Sequence, residues 1–429
     1  MSINKKNILV FPCGSEIGLE IYRSLKWSAH FSIIGASSVD DHGRFVYEQY
    51  LGEFPFVTDK AFIPYCKEIV ANWHIDAIFP ANDLTNAYLK RHEQEIGCMV
   101  LGSCLETVEI CLSKHLMYSA LKDIIPVPEL FPSLDQINQY PVFGKKDIGH
   151  SSIGTKKLDN RHLAEEYISN TDGALICEYL PGEEYTVDCF TDKNGSLLFY
   201  GVRIRERVSN GISVHTIPYP DDKGEFSRMV NRINETIHFR GAWFAQFKRK
   251  SDGTPCLLEI AARLGGSSSL FRPLGINFAL LTVFDAFGYD VSIVHNNGKV
   301  EMDRALDNMF KLDTHFSEVF VDFDDCLCID KHFVNPELIA FLFQCLNDDK
   351  RLTLLTHHDQ NISESLSLLR LSGLFDRIIQ IDRTKKKSDY IDNSDSIFID
   401  DSFAERRDVS DALGIPVFGT DMIRCLLKI

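Results

Sequence analysis

Asp322, Asp324 and Asp325 crowd the stretch FVDFDDCLCID directly after an apolar run, and a second acidic pair, Asp400 and Asp401, closes the run SIFIDDS. Carboxylates gathered at strand ends repel one another unless a divalent cation neutralises them, and a bound Mg²⁺ makes phosphate the natural substrate group. Thr356, at the end of the strand in RLTLLTHHD, supplies a hydroxyl, and TKKKSDYI supplies lysines. A second set of residues lies earlier in the chain. YPVFGKKDIGHSSIG carries Lys145 on an apolar strand into a loop where Gly149, Ser151, Ser152 and Gly154 can offer N–H groups and hydroxyls to phosphate oxygens. WFAQFKRKSDGTPCLLEIAARLGGS reads as a hairpin that sets Gln246 beside Glu259, two oxygen ligands suited to Mg²⁺, with Arg263 just beyond. The plain alternatives are an ordinary turn for the Gly/Ser loop and a solvated acid for the hairpin.

Three blocks must position these residues. In the first, KNILVFPCG, SEIGLEIYRSLKW and HFSIIGAS form a βαβ unit, and the segments around HIDAIFPAND and CMVLGS extend it into a small parallel sheet ending near residue 110. Its loop PCGSEIG has the spacing G-x-x-x-G, which is no dinucleotide fingerprint and reads as close helix–strand packing. The second block spans 111–311 and holds the lysines and the hairpin. In the third, 312–429, strands alternate with helices such as NPELIAFLFQCLN, opened by Pro336. That alternation places the acids at the C-terminal ends of parallel strands, where open α/β sheets build their sites.

Composition narrows the function classes. A chain of 429 residues exceeds one compact core. A net charge of -16 argues against a nucleic-acid backbone as partner. The 12 cysteines include no C-x-x-C pair, which points to reduced thiols and a cytoplasmic setting. ILVFPC is too short for a signal peptide, and no membrane span is expected.

Taken in order, the motifs of the first two blocks resemble the ATP-grasp superfamily, specifically its carbamoyl-phosphate-synthase-like and amino-acid-ligase branches, over about residues 5–295. The resemblance implies a pre-ATP-grasp Rossmann-like domain (1–110) and an ATP-grasp domain (111–311). Lys114 in LSKHLMYSAL and Lys145 would hold phosphates with Ser151, Ser152 and Gly154. Glu178, Tyr179 and Leu180 in ICEYLPGEEY would meet adenine, and Glu184 the ribose. Gln246 and Glu259 would bind metal, and Arg263 would stand near the reacting phosphoryl group. Arg203 and Arg205 would face substrate or form surface ion pairs. The chain departs from the family at Ala261, where an asparagine ligand is usual, and at Lys146, where proline is common.

The third block resembles the haloacid dehalogenase superfamily over nearly all of 316–429. The resemblance implies Asp322 as nucleophile, Asp324 as general acid and base, Thr356 and Lys387 on the phosphoryl group, and Asp322, Asp324, Asp400 and Asp401 at Mg²⁺. Cys326 replaces a usual Thr or Val. The interval from Asp322 to Thr356 is consumed by one helix and one strand, so a capless α/β domain is expected.

The fold expected is thus α/β throughout. The activity expected is a bifunctional enzyme: a ligase that uses ATP and Mg²⁺ to join a small-molecule carboxylate and amine, and a phosphohydrolase acting on a phosphorylated small molecule. Two other readings stay open: a nucleotide-binding sensor regulating a phosphatase, and a ligase with a non-catalytic docking module. Homo-oligomerisation is also open.

Overall fold

The computed structural model describes residues 5–149, 154–209, 212–296, 298–305, 310 and 312–428. Contacts divide the chain into two compact units, Met1–Leu306 and Asp307–Ile429.

Among its described residues the N-terminal unit holds three sheets. The first consists of β1 (Lys6–Phe11), β2 (Phe31–Ala36), β3 (Gln49–Leu51), β4 (Ala77–Pro80) and β5 (Met99–Val100), in the order β3-β2-β1-β4-β5. Every pairing is parallel. Its strands are near-continuous apolar runs because helices cover both faces. The helix Glu16–Leu25 starts at Ser15, whose hydroxyl accepts the Gly18 N–H. A Cβ at Gly18 would lie 2.4 Å from the Cys13 carbonyl oxygen, so the glycine of PCGSEIG serves close packing of helix on strand.

A small antiparallel sheet follows, β7-β6-β8, made of β6 (Val142–Lys146), β7 (Lys156–Leu158) and β8 (Ala174–Glu178). The third sheet is antiparallel and six-stranded, in the order β13-β12-β9-β10-β11-β14. It comprises β9 (Glu184–Thr191), β10 (Leu197–Ser209), β11 (Ile212–Pro218), β12 (Gly241–Arg249), β13 (Pro255–Ala261) and β14 (Met302–Asp303). The two blocks read from the sequence on either side of residue 110 share this one unit. The reason is a common core, in which Ile8, Val10 and Phe79 of the parallel sheet pack with Phe190, Ala242, Phe271 and Val283.

The C-terminal unit is a parallel sheet of β15 (Glu318–Val321), β18 (Arg351–Thr356), β19 (Arg377–Gln380), β20 (Ser396–Ile399) and β21 (Val417–Phe418), ordered β19-β18-β15-β20-β21. A hairpin of β16 (Cys328–Ile329) and β17 (Phe333–Val334) lies between β15 and the helix Pro336–Asn347. Asn335 caps that helix by accepting the Leu338 N–H, with Pro336 at its first position. Between β18 and β20 stand only a two-turn helix, Ile362–Leu368, the strand β19 and a short helical turn, Lys387–Tyr390.

Among the described residues no helix is long and apolar enough to cross a membrane. All 12 cysteines are free, and nine are buried.

Candidate active sites

The six-stranded sheet has two unlike faces, and period-two alternation creates them. Tyr185, Val187 and Cys189 of β9, Val202 of β10, and Trp243, Ala245 and Phe247 of β12 point into one apolar cluster. The intervening residues form the opposite face. One cross-strand row there reads Arg203, Thr186, Gln246, Glu259, and the next reads Gly201, Asp188, Phe244, Ala261. Gln246 and Glu259 are thus directly opposed on neighbouring strands, about 5 Å apart at Cβ, which suits two ligands of one cation. Ala261 lies two residues along from Glu259 on the same face and contributes no oxygen.

The lysines stand beside this face. Lys114 opens the helix Lys114–Leu121, and its Nζ donates to the carbonyl oxygens of Gly149 (3.2 Å) and Asp147 (3.4 Å). Lys145, on β6, is buried and donates to the hydroxyl of Tyr118. Burial holds its pKa below the ordinary lysine value, with Lys114 adding repulsion and Glu259 opposing it. Gly154 sits at φ 76°, a left-handed conformation that glycine favours, and its carbonyl accepts from Tyr167 at 2.6 Å. Ser151 and Ser152 fall outside the described residues.

Glu178 ends β8 and pairs with Lys250 at 2.8 Å. Tyr179 follows with the Lys157 ammonium 5.3 Å from its ring centre, and Leu180 is buried. Glu184, expected at a ribose, accepts from Arg205, so the acid and one of the expected substrate arginines neutralise each other. Arg203 is buried against Asp188 rather than facing solvent. Arg263 makes a forked pair with Asp83, with contacts of 2.9 and 2.7 Å, and its guanidinium carbon lies 5.3 Å from the Phe244 ring centre. Asp83 begins the helix after β4, so Arg263 is held by the parallel sheet's own C-terminal edge. At the same edge Glu16 pairs with Arg304 at 2.8 Å. Asp83, Glu16 and Tyr118 escaped the sequence reading because their partners lie far along the chain; Asp188 escaped it because its pairing with Arg203 depends on the register of two neighbouring strands. The carboxylates' positions after strands β1 and β4 were the available signal for Glu16 and Asp83.

In the C-terminal unit Asp322 follows β15, and Asp400 and Asp401 follow the adjacent β20. Ligand atoms of these three carboxylates lie within 4.8 Å of one another, a spacing one divalent cation can span. Lys387 enters the cluster from its helical turn, with Nζ 2.7 Å from Asp322 and 2.6 Å from Asp400. Burial disfavours the Lys387 charge, but the two aspartates outweigh it and hold its pKa above the ordinary value. Burial pushes the Asp400 carboxyl up to about 6, with Lys387 pulling it down and Asp322 pushing it further up. Thr356 is buried at the end of β18, next to β15, and its hydroxyl accepts the His358 N–H at 3.2 Å.

Asp324 differs from expectation as a metal ligand. Its carboxylate stands outside the three-acid cluster and takes both 2.9 Å contacts from His358 Nδ1, while His358 Nε2 meets Ser365 Oγ at 2.9 Å. Two residues beyond Asp322, on a chain turning out of the strand, its side chain leans toward the loop after β18. That leaves it free of the cluster and suited to moving protons.

A family model described as ATP-grasp in the biosynthetic pathway with Ter operon matches residues 170–308. The chain is similar to the Campylobacter jejuni biotin carboxylase–beta-gamma-ATP complex, at 17% identity over 68% of this chain and 74% of that one, with a TM-score of 0.57. It is also similar to an L-amino acid ligase from Bacillus licheniformis (17% identity, 67% and 75%, TM-score 0.54). A third is the N5-carboxyaminoimidazole synthetase of Staphylococcus aureus complexed with ADP (17% identity, 69% and 81%, TM-score 0.56). No curated protein sequence matches. Likeness at this identity shows the fold, so the chain carries a mixed α/β ATP-grasp fold, and residues 170–308 lie almost wholly within the N-terminal unit.

Proposed function

We propose that the N-terminal unit is an ATP-dependent carboxylate–amine ligase. The observation that carries this reading is the opposed pair Gln246 and Glu259 on the polar face of the six-stranded sheet, with buried Lys145 close enough to feel the Glu259 charge. Lys114, Lys145 and Gly154 hold the phosphates of ATP; Ser151 and Ser152, expected to join them, lie outside the described residues. Glu178, Tyr179 and Leu180 border the base, and Glu184 exchanges Arg205 for ribose hydroxyls. Gln246 and Glu259 hold Mg²⁺, which when bound neutralises charge on the phosphate chain. The substrate carboxylate attacks the γ-phosphorus, giving an acyl phosphate and ADP. The amine nitrogen then attacks the acyl carbon, phosphate leaves with the bonding electron pair, and the amine's proton passes to solvent. Arg263, fixed by Asp83, supplies positive charge at the transferring group. The neighbours point the same way, since one is a complex with ADP and another an amino-acid ligase. A screen of carboxylate and amine pairs for ADP release tests the reading: release that depends on both partners supports it, and nucleotide binding without any such release defeats it.

A second reading belongs to the C-terminal unit and is favoured by the cluster of Asp322, Asp400 and Asp401 around Lys387. This unit would be a capless, haloacid-dehalogenase-like phosphohydrolase (312–429). Asp322 attacks the phosphorus of a phosphorylated small molecule, and Asp324 protonates the leaving oxygen and then takes a proton from water. Thr356 and Lys387 contact the phosphoryl oxygens, and Mg²⁺ sits on the three clustered acids. Asp322→Asn in the full chain should abolish phosphate release from p-nitrophenyl phosphate; release at the wild-type rate would reject Asp322 as nucleophile.

A further inference from the structure

Lys145 reaches the polar face from the small three-stranded sheet, while the metal-facing strands belong to the six-stranded one. Tyr118 joins the two. Tyr118 lies one helical turn after Lys114, on the same helix and the same face. Its hydroxyl accepts an N–H of Lys145, and it donates its own proton to the carbonyl of Leu258 at 2.6 Å. Leu258 immediately precedes Glu259. The Lys145 ammonium also lies 4.7 Å from the centre of the Tyr118 ring. Tyr118 is itself fully buried, packed with the core of the six-stranded sheet. A hydroxyl has one proton to give, and here it is spent on Leu258, so only a lone pair is left toward Lys145 and the direction of both bonds is fixed.

We infer that Tyr118 is a positioning residue for the phosphate site: it fixes the ammonium of Lys145 at a set distance from the strand that carries Glu259, so that the lysine and the metal ligand address the same phosphate chain. The inference rests on the ATP reading above and adds to it a residue that touches no substrate. It makes a specific demand. Losing the hydroxyl must weaken recognition of phosphates and leave recognition of the nucleoside alone, because Glu178, Tyr179 and Leu180 are carried by a different strand end.

Tyr118→Phe removes the hydroxyl and keeps the ring and its packing. Binding of MgATP and of adenosine to the full-length protein, each followed by isothermal titration calorimetry, reads the effect. ATP affinity should fall about tenfold, the scale of one hydrogen bond to a charged group, while adenosine affinity should change by less than about twofold. In a Lys145→Ala background the same substitution should cost nothing further for ATP, since its effect passes through that lysine. Equal losses for ATP and adenosine, or a loss that adds to that of Lys145→Ala, would reduce Tyr118 to a core residue and overturn the inference while the ATP reading stands. Wild-type protein that binds neither ligand would remove that reading and this inference with it.

Discussion

At the scale of single residues, the two sites use charge in opposite ways. Lys145 is a cation in a place where burial works against charge, and an anionic phosphate chain is the partner that relieves it. Lys145→Ala should therefore bring substrate-dependent ADP release to background, and release at the wild-type rate would show that phosphates bind elsewhere. Ala261 makes a subtler test. Its Cβ shares a face with Glu259, and Mg²⁺ tolerates water at several of its six positions, so one missing protein oxygen weakens the site without emptying it. Ala261→Asn should lower the Mg²⁺ concentration at half-maximal ADP release, and coincident titration curves would place residue 261 away from the metal. Asp400 adds a pH dependence. Its carboxyl moves from the ordinary 3.8 to about 6 in the folded chain, so the folded state takes up a proton that the unfolded state lacks. Stability without metal therefore falls as pH rises through that window and stays lower above it. Mg²⁺ competes with the same proton. It should raise the melting temperature clearly at about pH 8 and progressively less below about pH 6, and an equal Mg²⁺ effect at both ends would exclude Asp400 as a ligand. That Lys145 and Glu259 lie on strands and Asp322 directly after one was legible in local sequence. Their fixed partners were not: Asp83 is 180 positions from Arg263, and Leu258 is 140 from Tyr118.

At the scale of elements, the sheets were readable wherever a strand announces itself by apolar runs and a turn. The hairpin of β12 and β13 closes at KSDGTP as its Gly and Asp require. Less readable was which face a strand would show, because β9 is buried along nearly its whole length and its polar residues Thr186 and Asp188 are covered too. Only the cross-strand register reveals that they share the face of Gln246 and Glu259. Gly201 shows how tightly that face is closed. A Cβ there would come within 2.6 Å of the Phe271 ring, and Phe271 belongs to the core shared with the parallel sheet. Gly201→Ala should thus destabilise the N-terminal unit by about 1–3 kcal/mol, the usual cost of overpacking. An unchanged denaturation midpoint would mean that Phe271 moves aside freely.

At the scale of the whole molecule, the buried clusters fall into two sets. Among the described residues, each cluster draws either on positions up to 283 or on positions from 319 onward, and none draws on both. Each unit thus has apolar cores of its own, and cooperativity follows the core. The proposed chemistry divides along the same line, with phosphate lysines and Glu259 in one unit and the aspartate cluster in the other. Two consequences can be read in one calorimetric scan. With Mg²⁺ present throughout, heating should resolve two unfolding transitions, of which added ATP raises only that of the larger unit, by mass action on the state that binds it. Added orthovanadate, an analogue of the phosphoryl group in transfer, should raise only the other. Lys145→Ala should cancel the first shift and spare the second, and Asp322→Asn should do the reverse. A single transition that both ligands move together would show that the units fold and bind as one body, and the independence argued from their cores would be lost.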